Sequence, residues 1–314
     1  MAEKIAIVGA GLIGRAWAIV FARAGHEVAL WDLSLEAQAG ALSHIRASLE
    51  DLASFSLIDA VEPILSRIKP VADMATALDG ADYVQENGPE LLAVKQAVFG
   101  EMDRLAAPET ILASSSSAIR TSLFAADLAG RARVLVNHPV NPPYLLPLTE
   151  LSPAPFTDPT VVERTRELMI RVGQKPILVI KEIQGFILNR LQGALVNEAF
   201  RLAEDGYASP EDIDATVSHG LGLRWSFMGP FETGDLNAPK GIRDYIERYG
   251  GLFNEMAHSQ SDPRDWDEDL TTKLEAARRT KLPAEEIAER QAWRDRRLMA
   301  MIAHKREAAT TIGD

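Results

Sequence analysis

The sequence predicts an α/β fold: a doubly wound, mostly parallel sheet followed by a smaller all-α C-terminal domain. Three observations lead there. A strand, a glycine-rich turn, a helix and a second strand follow one another between Lys4 and Asp32. Short apolar runs then alternate with amphipathic stretches as far as Ile180. Beyond Gly185 the strand pattern stops and only helical periodicity remains. Alternation of the first kind gives a mostly parallel sheet covered on both faces.

The opening unit is the most informative. Lys4-Ile5-Ala6-Ile7-Val8 is an apolar run long enough for a buried parallel strand. It breaks into Gly9-Ala10-Gly11-Leu12-Ile13-Gly14, a complete G-x-G-x-x-G. A helix over Leu12 to Ala24 is closed by Gly25, and the run Val28 to Trp31 ends on Asp32. In a dinucleotide fingerprint, Gly9 permits the tight turn, Gly11 admits a pyrophosphate, and Gly14 lets helix and strand pack closely. The helix N-terminus supplies free N–H groups and positive potential for the phosphates. Asp32, 18 residues past Gly14, is placed to accept a hydrogen bond from a ribose 2′-OH and to repel a 2′-phosphate. The unit therefore reads as a Rossmann-type site for NAD rather than NADP. FAD shares the fingerprint and is the competing ligand; a ligand-free strand–turn–helix is the plain alternative.

Further on, Leu35 to Phe55 reads as a long helix, Ile64 to Val71 as a strand, Asp73 to Leu78 as a short helix and Asp82 to Gln85 as a strand. Leu91 to Ala106 is helical, Thr110 to Ala113 and Arg133 to Asn137 are strands, Asp158 to Val172 is a helix, and Pro176 to Ile180 is the last strand. This gives an NAD-binding domain over 1–185. The remainder, 186–314, reads as a helical domain for substrate binding and dimerisation. Its helices are Phe186 to Glu204, a segment started by Ser209-Pro210-Glu211-Asp212, Pro230 to Leu236, Lys240 to Tyr249, Asp267 to Lys281 and a final helix opened by Pro283. Ser209 as N-cap, Pro210 at the first helical position and acids in the first turn mark a helix start. In the last helix, early acids and late Arg296, Arg297, Lys305 and Arg306 complement the macrodipole and read as a solvated face. Ser259 to Asp269 reads as an exposed loop.

Composition excludes several classes. The chain has 314 residues, 46% hydrophobic and 25% charged, with a net charge of −12. That balance argues against an unspecific nucleic-acid binder, which needs a basic face. There is no cysteine, hence no disulfide, thiolate nucleophile or cysteine metal site, and no metal is expected. The fold pattern starts at Lys4, leaving no room for a leader, and no run approaches the ~20 apolar residues that span a bilayer. The expectation is a cytoplasmic protein without a membrane or nucleic-acid partner.

Three further clusters could carry chemistry. In Asn137-His138-Pro139-Val140-Asn141-Pro142-Pro143-Tyr144 a histidine follows a parallel strand directly, at the sheet edge where open α/β folds bind ligands. Glu150 lies 12 residues on. A carboxylate on one imidazole nitrogen would fix the tautomer and make the other a base; a surface histidine with an unrelated glutamate is equally compatible with the spacing. Ser114-Ser115-Ser116-Ser117 follow a strand and could be a polar strand end or could aim a hydroxyl at a substrate. No G-x-S-x-G surrounds them, against a nucleophilic serine. Asn189, in Gly185-Phe186-Ile187-Leu188-Asn189-Arg190-Leu191, must find hydrogen-bond partners if buried, on backbone or on substrate.

Taken together, the Lys4–Asp32 fingerprint, Arg67-Ile68-Lys69-Pro70, Glu90 with Lys95, Ser117, His138 with Glu150, the GFILNRL run and Met228-Gly229-Pro230-Phe231-Glu232 resemble the 3-hydroxyacyl-CoA dehydrogenase family, nearly throughout to Tyr249. The runs HPVNPPY, NEAFRL and GLGLRWSFMGPFET resemble its lambda-crystallin branch, which comprises L-gulonate 3-dehydrogenases. The resemblance implies roles. His138 would take the hydroxyl proton as hydride leaves for the nicotinamide, and Glu150 would orient it. Ser117 and Asn189 would hold the substrate oxygen. Gly9, Gly11, Leu12, Ile13, Gly14, Asp32, Glu90 and Lys95 would line the cofactor site. It also implies a homodimer through the helical domain. Where acyl-CoA members carry two aromatics after the histidine, this chain has Pro139-Val140, and Arg224-Trp225 precede its M-G-P-F. Arg is the natural bidentate partner of a carboxylate, so Arg224 is read as an anchor for a free acid; a surface or interface arginine is the other reading. The activity implied is NAD-dependent oxidation of the 3-hydroxyl of a small, L-gulonate-like acid. The alternatives are a short-chain L-3-hydroxyacyl-CoA dehydrogenase, a carnitine dehydrogenase, and an NAD-binding protein without turnover.

Overall fold

The computed structural model describes residues 2–313 and divides into two compact units. One comprises the chain up to Arg190 together with Trp293–Glu307; the other comprises Leu191–Ala292 and the residues from Ala308 on.

The first unit is built on an eight-stranded sheet in the order β3-β2-β1-β4-β5-β6-β7-β8. The strands are β1 Lys4–Val8, β2 Glu27–Trp31, β3 Ile68–Pro70, β4 Tyr83–Glu86, β5 Ile111–Ser114, β6 Val134–Pro139, β7 Leu148–Pro153 and β8 Lys175–Leu178. The first six are parallel; β7 runs antiparallel to β6, and β8 is parallel to β7. The β1 run lacks alternation because both of its faces are covered. Ile5 and Ile7 pack with Trp17, Phe21 and Leu49 on one side, while Ala6 and Val8 pack with Val84, Phe99 and Leu112 on the other.

Helices α1 Leu12–Arg23 and α2 Leu35–Ser54 contribute to the first of these cores; α3 Glu62–Leu65 follows them in the chain. Helices α4 Met74–Leu78, α5 Leu92–Leu105 and α6 Thr121–Ala125 form the second, and α7 Pro159–Arg171 returns to the first. Ser34, Asp73 and Asp158 cap their helices by accepting from Ala37, Thr76 and Thr160 N–H.

Several expectations change. The strand read over Ile64 to Val71 is a single helical turn, α3, and then a three-residue strand, because Pro63 sits in the first turn of a helix that stops at Leu65. β6 runs on through His138 and Pro139, so the histidine lies within the strand rather than after it. β7 and α6 have no counterpart among the elements the sequence predicts. The helix expected from Phe186 starts at Leu188, since Gly185 (φ 75°) and Phe186 (φ 49°) adopt left-handed conformations.

Helix α8, Leu188–Glu204, leads into the second unit, where α9 Pro210–Thr216, a π-helical turn Val217–Leu221 and α10 Gly222–Trp225 run end to end. A Cβ at Gly222 would lie 2.9 Å from the Val217 carbonyl oxygen, which is why a glycine ends the widened turn. Then come α11 Pro230–Leu236, α12 Ile242–Gln260 and α13 Glu268–Lys281. α12 continues well past Tyr249 and shortens the expected loop to 261–267. The last helix, α14 Ile287–Thr311, follows a short 3₁₀ turn at Ala284–Glu286. The sequence pattern assigns all of it to the helical domain. In the structure Trp293–Glu307 belongs to the first unit, because Met299 is buried and Leu298 and Ile302 pack on the core of α1 and α2. Arg306 there donates to the Leu57 carbonyl, while Arg296, Arg297, Lys305 and Arg306 are all exposed.

Candidate active site

β6 and β7 bring the candidate acid–base pair together. His138 and Glu150 are register partners on these antiparallel strands, so their side chains leave the sheet on one face. Nδ1 of His138 lies 2.8 Å from Glu150 Oε2, with both residues buried. The other oxygen, Oε1, accepts the Ile187 and Leu188 N–H groups at 2.8 and 2.9 Å, at the start of α8. Burial opposes ionisation of Glu150, but the His138 bond, the two amides and the attraction to His138 outweigh it and hold the carboxyl below its usual range. An ionised carboxylate only accepts hydrogen bonds, so the imidazole carries its proton on Nδ1 and leaves Nε2 as the basic nitrogen. Phe186, fully buried, sets its ring 5.6 Å from the imidazole. Its left-handed backbone is what turns the two amides onto Glu150. A strained non-glycine residue of this kind is a mark of functional sites.

The four serines divide their work. Ser114 donates to Glu86 Oε2 at 2.7 Å. Ser115 donates to Asn87 Oδ1 at 2.7 Å and accepts from Trp17 Nε1 and Gln85 Nε2. Ser116 donates to Glu90 Oε1 at 2.6 Å. Among the described residues the Ser117 hydroxyl alone in this run has no partner, and Ser117 is exposed. Asn189 donates through Nδ2 to the Ser117 carbonyl at 2.8 Å, leaving its amide oxygen without a partner among the described residues. Ser117 and Asn189 are thus adjacent, and the amide nitrogen takes the backbone partner that the sequence left as one of its two readings.

At the sheet's opening turn, Gly9 (φ 100°) donates its N–H to the Trp31 carbonyl at 2.7 Å. A Cβ at Gly14 would sit 1.8 Å from the Gly9 oxygen, whereas one at Gly11 would meet nothing within 4 Å. Gly11 faces open space beside the N-terminus of α1, whose first N–H groups have no side-chain cap. Asp32 accepts from Ala10 N–H at 2.6 Å and Ser34 N–H at 2.7 Å, which fixes its carboxylate over the same turn with lone pairs to spare. Leu12 is exposed and Ile13 half-buried here. An open cradle of uncapped amides beside a fixed acid fits the pyrophosphate and ribose of NAD.

Glu90 and Lys95 are placed differently from a simple lining. Lys95 is buried; its Nζ contacts both Glu86 oxygens at 2.9 Å and the Gly88 carbonyl at 3.2 Å, which uses all three N–H groups. Glu90 Oε1 accepts from Ser116, Ser117, Ala118 and Ile119. Burial opposes its ionisation, yet those bonds and Lys95 hold the carboxyl below its usual range. Arg224 lies in the second unit, exposed, its guanidinium without a partner among the described residues. No group of three or more His, Asp or Glu among the described residues could hold a metal ion, and no helix is long and apolar enough to cross a membrane.

Two family models cover nearly all of the chain: 3-hydroxyacyl-CoA dehydrogenase, NAD binding domain, over residues 4–183, and 3-hydroxyacyl-CoA dehydrogenase, C-terminal domain, over 185–283. The chain belongs to the 3-hydroxyacyl-CoA dehydrogenase family. It is accordingly an NAD-dependent oxidoreductase acting on a CH–OH group. Lambda-crystallin of Oryctolagus cuniculus is 40% identical over 98% of this chain and 97% of its own length. The 3-hydroxyacyl-CoA dehydrogenase of Gibberella moniliformis is 35% identical over 98% and 96%. Among solved structures, the 5-dehydrogenase of 5-formyl-3-hydroxy-2-methylpyridine 4-carboxylic acid, an NAD+-dependent dismutase, superposes with a TM-score of 0.84 at 29% identity, covering 97% of this chain and 99% of that one.

Three residues of the candidate site are not among those the sequence points to: Phe186, Glu86 and Asn137. The Gly185-Phe186 pair just before a helix was the available signal for the first. Glu86 gave none, because a charged residue ending a strand reads as surface. Asn137 is fully buried, donating to Tyr83 Oη at 2.9 Å and Gln85 Oε1 at 3.1 Å and accepting from Thr149, an arrangement that steadies the strand beneath His138.

Proposed function

We propose that the protein oxidises the 3-hydroxyl of a small free hydroxy acid to the 3-keto acid, with His138 as the base. The observation that carries the proposal is the buried His138–Glu150 pair, which leaves Nε2 as an acceptor beside a dinucleotide-binding fold. When bound, NAD would supply the hydride acceptor. Nε2 takes the hydroxyl proton, and Glu150 stabilises the imidazolium that results. The Ser117 hydroxyl and the Asn189 amide hold the substrate oxygen while charge builds on it. Asp32 and the turn Gly9, Gly11, Leu12, Ile13 and Gly14 hold the adenosine and pyrophosphate side. Lys95 supports the cofactor loop through Glu86 and Gly88.

The free-acid reading draws on Arg224, whose guanidinium is exposed and unpaired among the described residues and suits bidentate binding of a carboxylate. It also draws on the kinship with lambda-crystallin and with a dehydrogenase of a pyridine carboxylic acid. L-gulonate is the first candidate. A coenzyme A thioester is the second reading, favoured by the Gibberella relative. NADH formation across L-gulonate, L-carnitine and, in reverse, acetoacetyl-CoA decides between them, with NAD binding by calorimetry alongside. Tight NAD binding without turnover on any of them would reject catalysis. Arg224→Met is expected to raise KM for the free acid about tenfold or more, the loss of one charge-assisted contact, and to leave KM for the thioester unchanged. An equal effect on both removes Arg224 from substrate recognition.

A second copy of the chain completes the proposal. Leu223, Phe227, Phe231 and Leu236 in the second unit are 63, 67, 84 and 65% exposed. Large apolar side chains left open to water in this way are what an interface covers, and self-association would bury them. Light scattering after gel filtration is expected to give twice the chain mass; a monomer at micromolar concentration overturns this part.

A further inference from the structure

The run Ser116–Ile119 makes a turn whose N–H groups point inward together. Those of Ser117, Ala118 and Ile119 lie 3.1, 3.0 and 3.1 Å from a single oxygen, Glu90 Oε1, and the Ser116 hydroxyl adds a fourth donor at 2.6 Å. Consecutive amides converging in this way form an anion-binding nest. Here the chain's own carboxylate fills it, from 26 to 29 residues away in sequence. The other Glu90 oxygen is 4.0 Å from Lys95 Nζ, and Lys95 is itself fixed by Glu86 and Gly88. Two segments that end neighbouring strands, 87–91 after β4 and 115–120 after β5, are therefore joined at one carboxylate. Downstream of the join is the Ser117 carbonyl, which takes the Asn189 amide at 2.8 Å.

We infer that Glu90 is a positioning residue: its carboxylate shapes the turn that presents the Ser117 hydroxyl and, through the Ser117 carbonyl, the Asn189 amide. This deepens the proposed function, in which those two groups hold the substrate oxygen. Glu90 ties the loop on the cofactor side to the loop on the substrate side. Its loss leaves the Ser117 and Ala118 N–H groups to find water instead, whereas the Ile119 and Ser116 N–H groups keep Ser116 Oγ at 2.9 Å and Ser114 Oγ at 3.1 Å as acceptors.

Amide hydrogen exchange on the protein without cofactor tests the turn directly. In Glu90→Ala the amides of Ser117 and Ala118 are expected to exchange at least about tenfold faster, and that of Ile119, which keeps Ser116 Oγ, less so, while those in the middle of α5 keep their rates, the signature of local rather than global opening. Glu90→Gln retains an acceptor oxygen and is expected to restore most of the protection. Kinetically, Glu90→Ala at saturating NAD is expected to lower kcat/KM for the hydroxy acid by about 10²-fold, the cost of misplacing a positioning group, with less than about a threefold change in NAD affinity by calorimetry. Unchanged exchange at the Ser117 and Ala118 amides overturns the inference. So does a loss confined to NAD affinity with kcat intact, which would make Glu90 a cofactor ligand only. If the wild-type protein turns over none of the hydroxy acids, the proposed function fails, and the exchange pattern by itself still decides whether Glu90 holds the turn.

Discussion

His138→Ala is expected to lower kcat by roughly 10²–10⁴-fold, the range for a lost acid–base group, with the dissociation constant for NADH little changed. The imidazole is buried and reaches the rest of the protein through Glu150 and the Phe186 ring, so its loss removes the basic Nε2 without touching the dinucleotide turn. Glu150 keeps its two amide donors from Ile187 and Leu188 in the variant, which limits the damage to folding. Steady-state rates set beside calorimetric NADH binding make the check. A variant turning over at near the wild-type rate would take His138 out of the mechanism; equal losses in rate and NADH affinity would point to a disrupted fold instead.

The second large effect separates two glycines of the same fingerprint. Gly14→Ala drives a Cβ to 1.8 Å from the Gly9 oxygen and 2.9 Å from its carbonyl carbon. Both are backbone atoms, so α1 must lift off β1. The expected cost is of the order of 1–3 kcal/mol or more, read as a fall of several degrees in Tm and as lost NAD binding. Gly11→Ala meets no protein atom within 4 Å, and its backbone (φ −67°, ψ −168°) suits any residue. Stability should therefore stay as it is. The added methyl instead enters the space that the pyrophosphate occupies, and NAD affinity should fall at least about tenfold. Thermal melts and calorimetry on both variants suffice. A Gly14→Ala protein with unaltered Tm, or a Gly11→Ala protein that binds NAD normally, contradicts this division of labour.

Much of the site was legible where its residues obey local rules. The β1 turn follows from glycines whose spacing only a strand–turn–helix accommodates, and Ser209 and Asp267 announced their helices through side chains that accept from Asp212 and Leu270 N–H. β7 was missed because Thr149, Glu150 and Ser152 are polar yet fully buried. Thr149 and Glu150 are hydrogen-bonded to β6, and a strand with polar side chains buried in this way carries no apolar alternation. The same reason hid the fates of the four serines. Neighbours in sequence, they alternate in direction, and only β4 and the loop after it reveal that three are engaged.

The sequence by itself determined the dinucleotide turn, the mostly parallel sheet and the switch to helices after Gly185, because each rests on spacing and periodicity within a short stretch; the family rests instead on the resemblance of motifs spread along the chain as far as Tyr249. Tertiary structure alone decided that His138 faces Glu150, that Lys95 is locked to Glu86, that Glu90 fills the Ser117 turn and that Trp293–Glu307 belongs to the first unit. The physical reason is common to all four. Each is a pairing across strands or between distant segments, and such pairings depend on register and on which buried charge finds which partner, quantities that no local window of the chain contains.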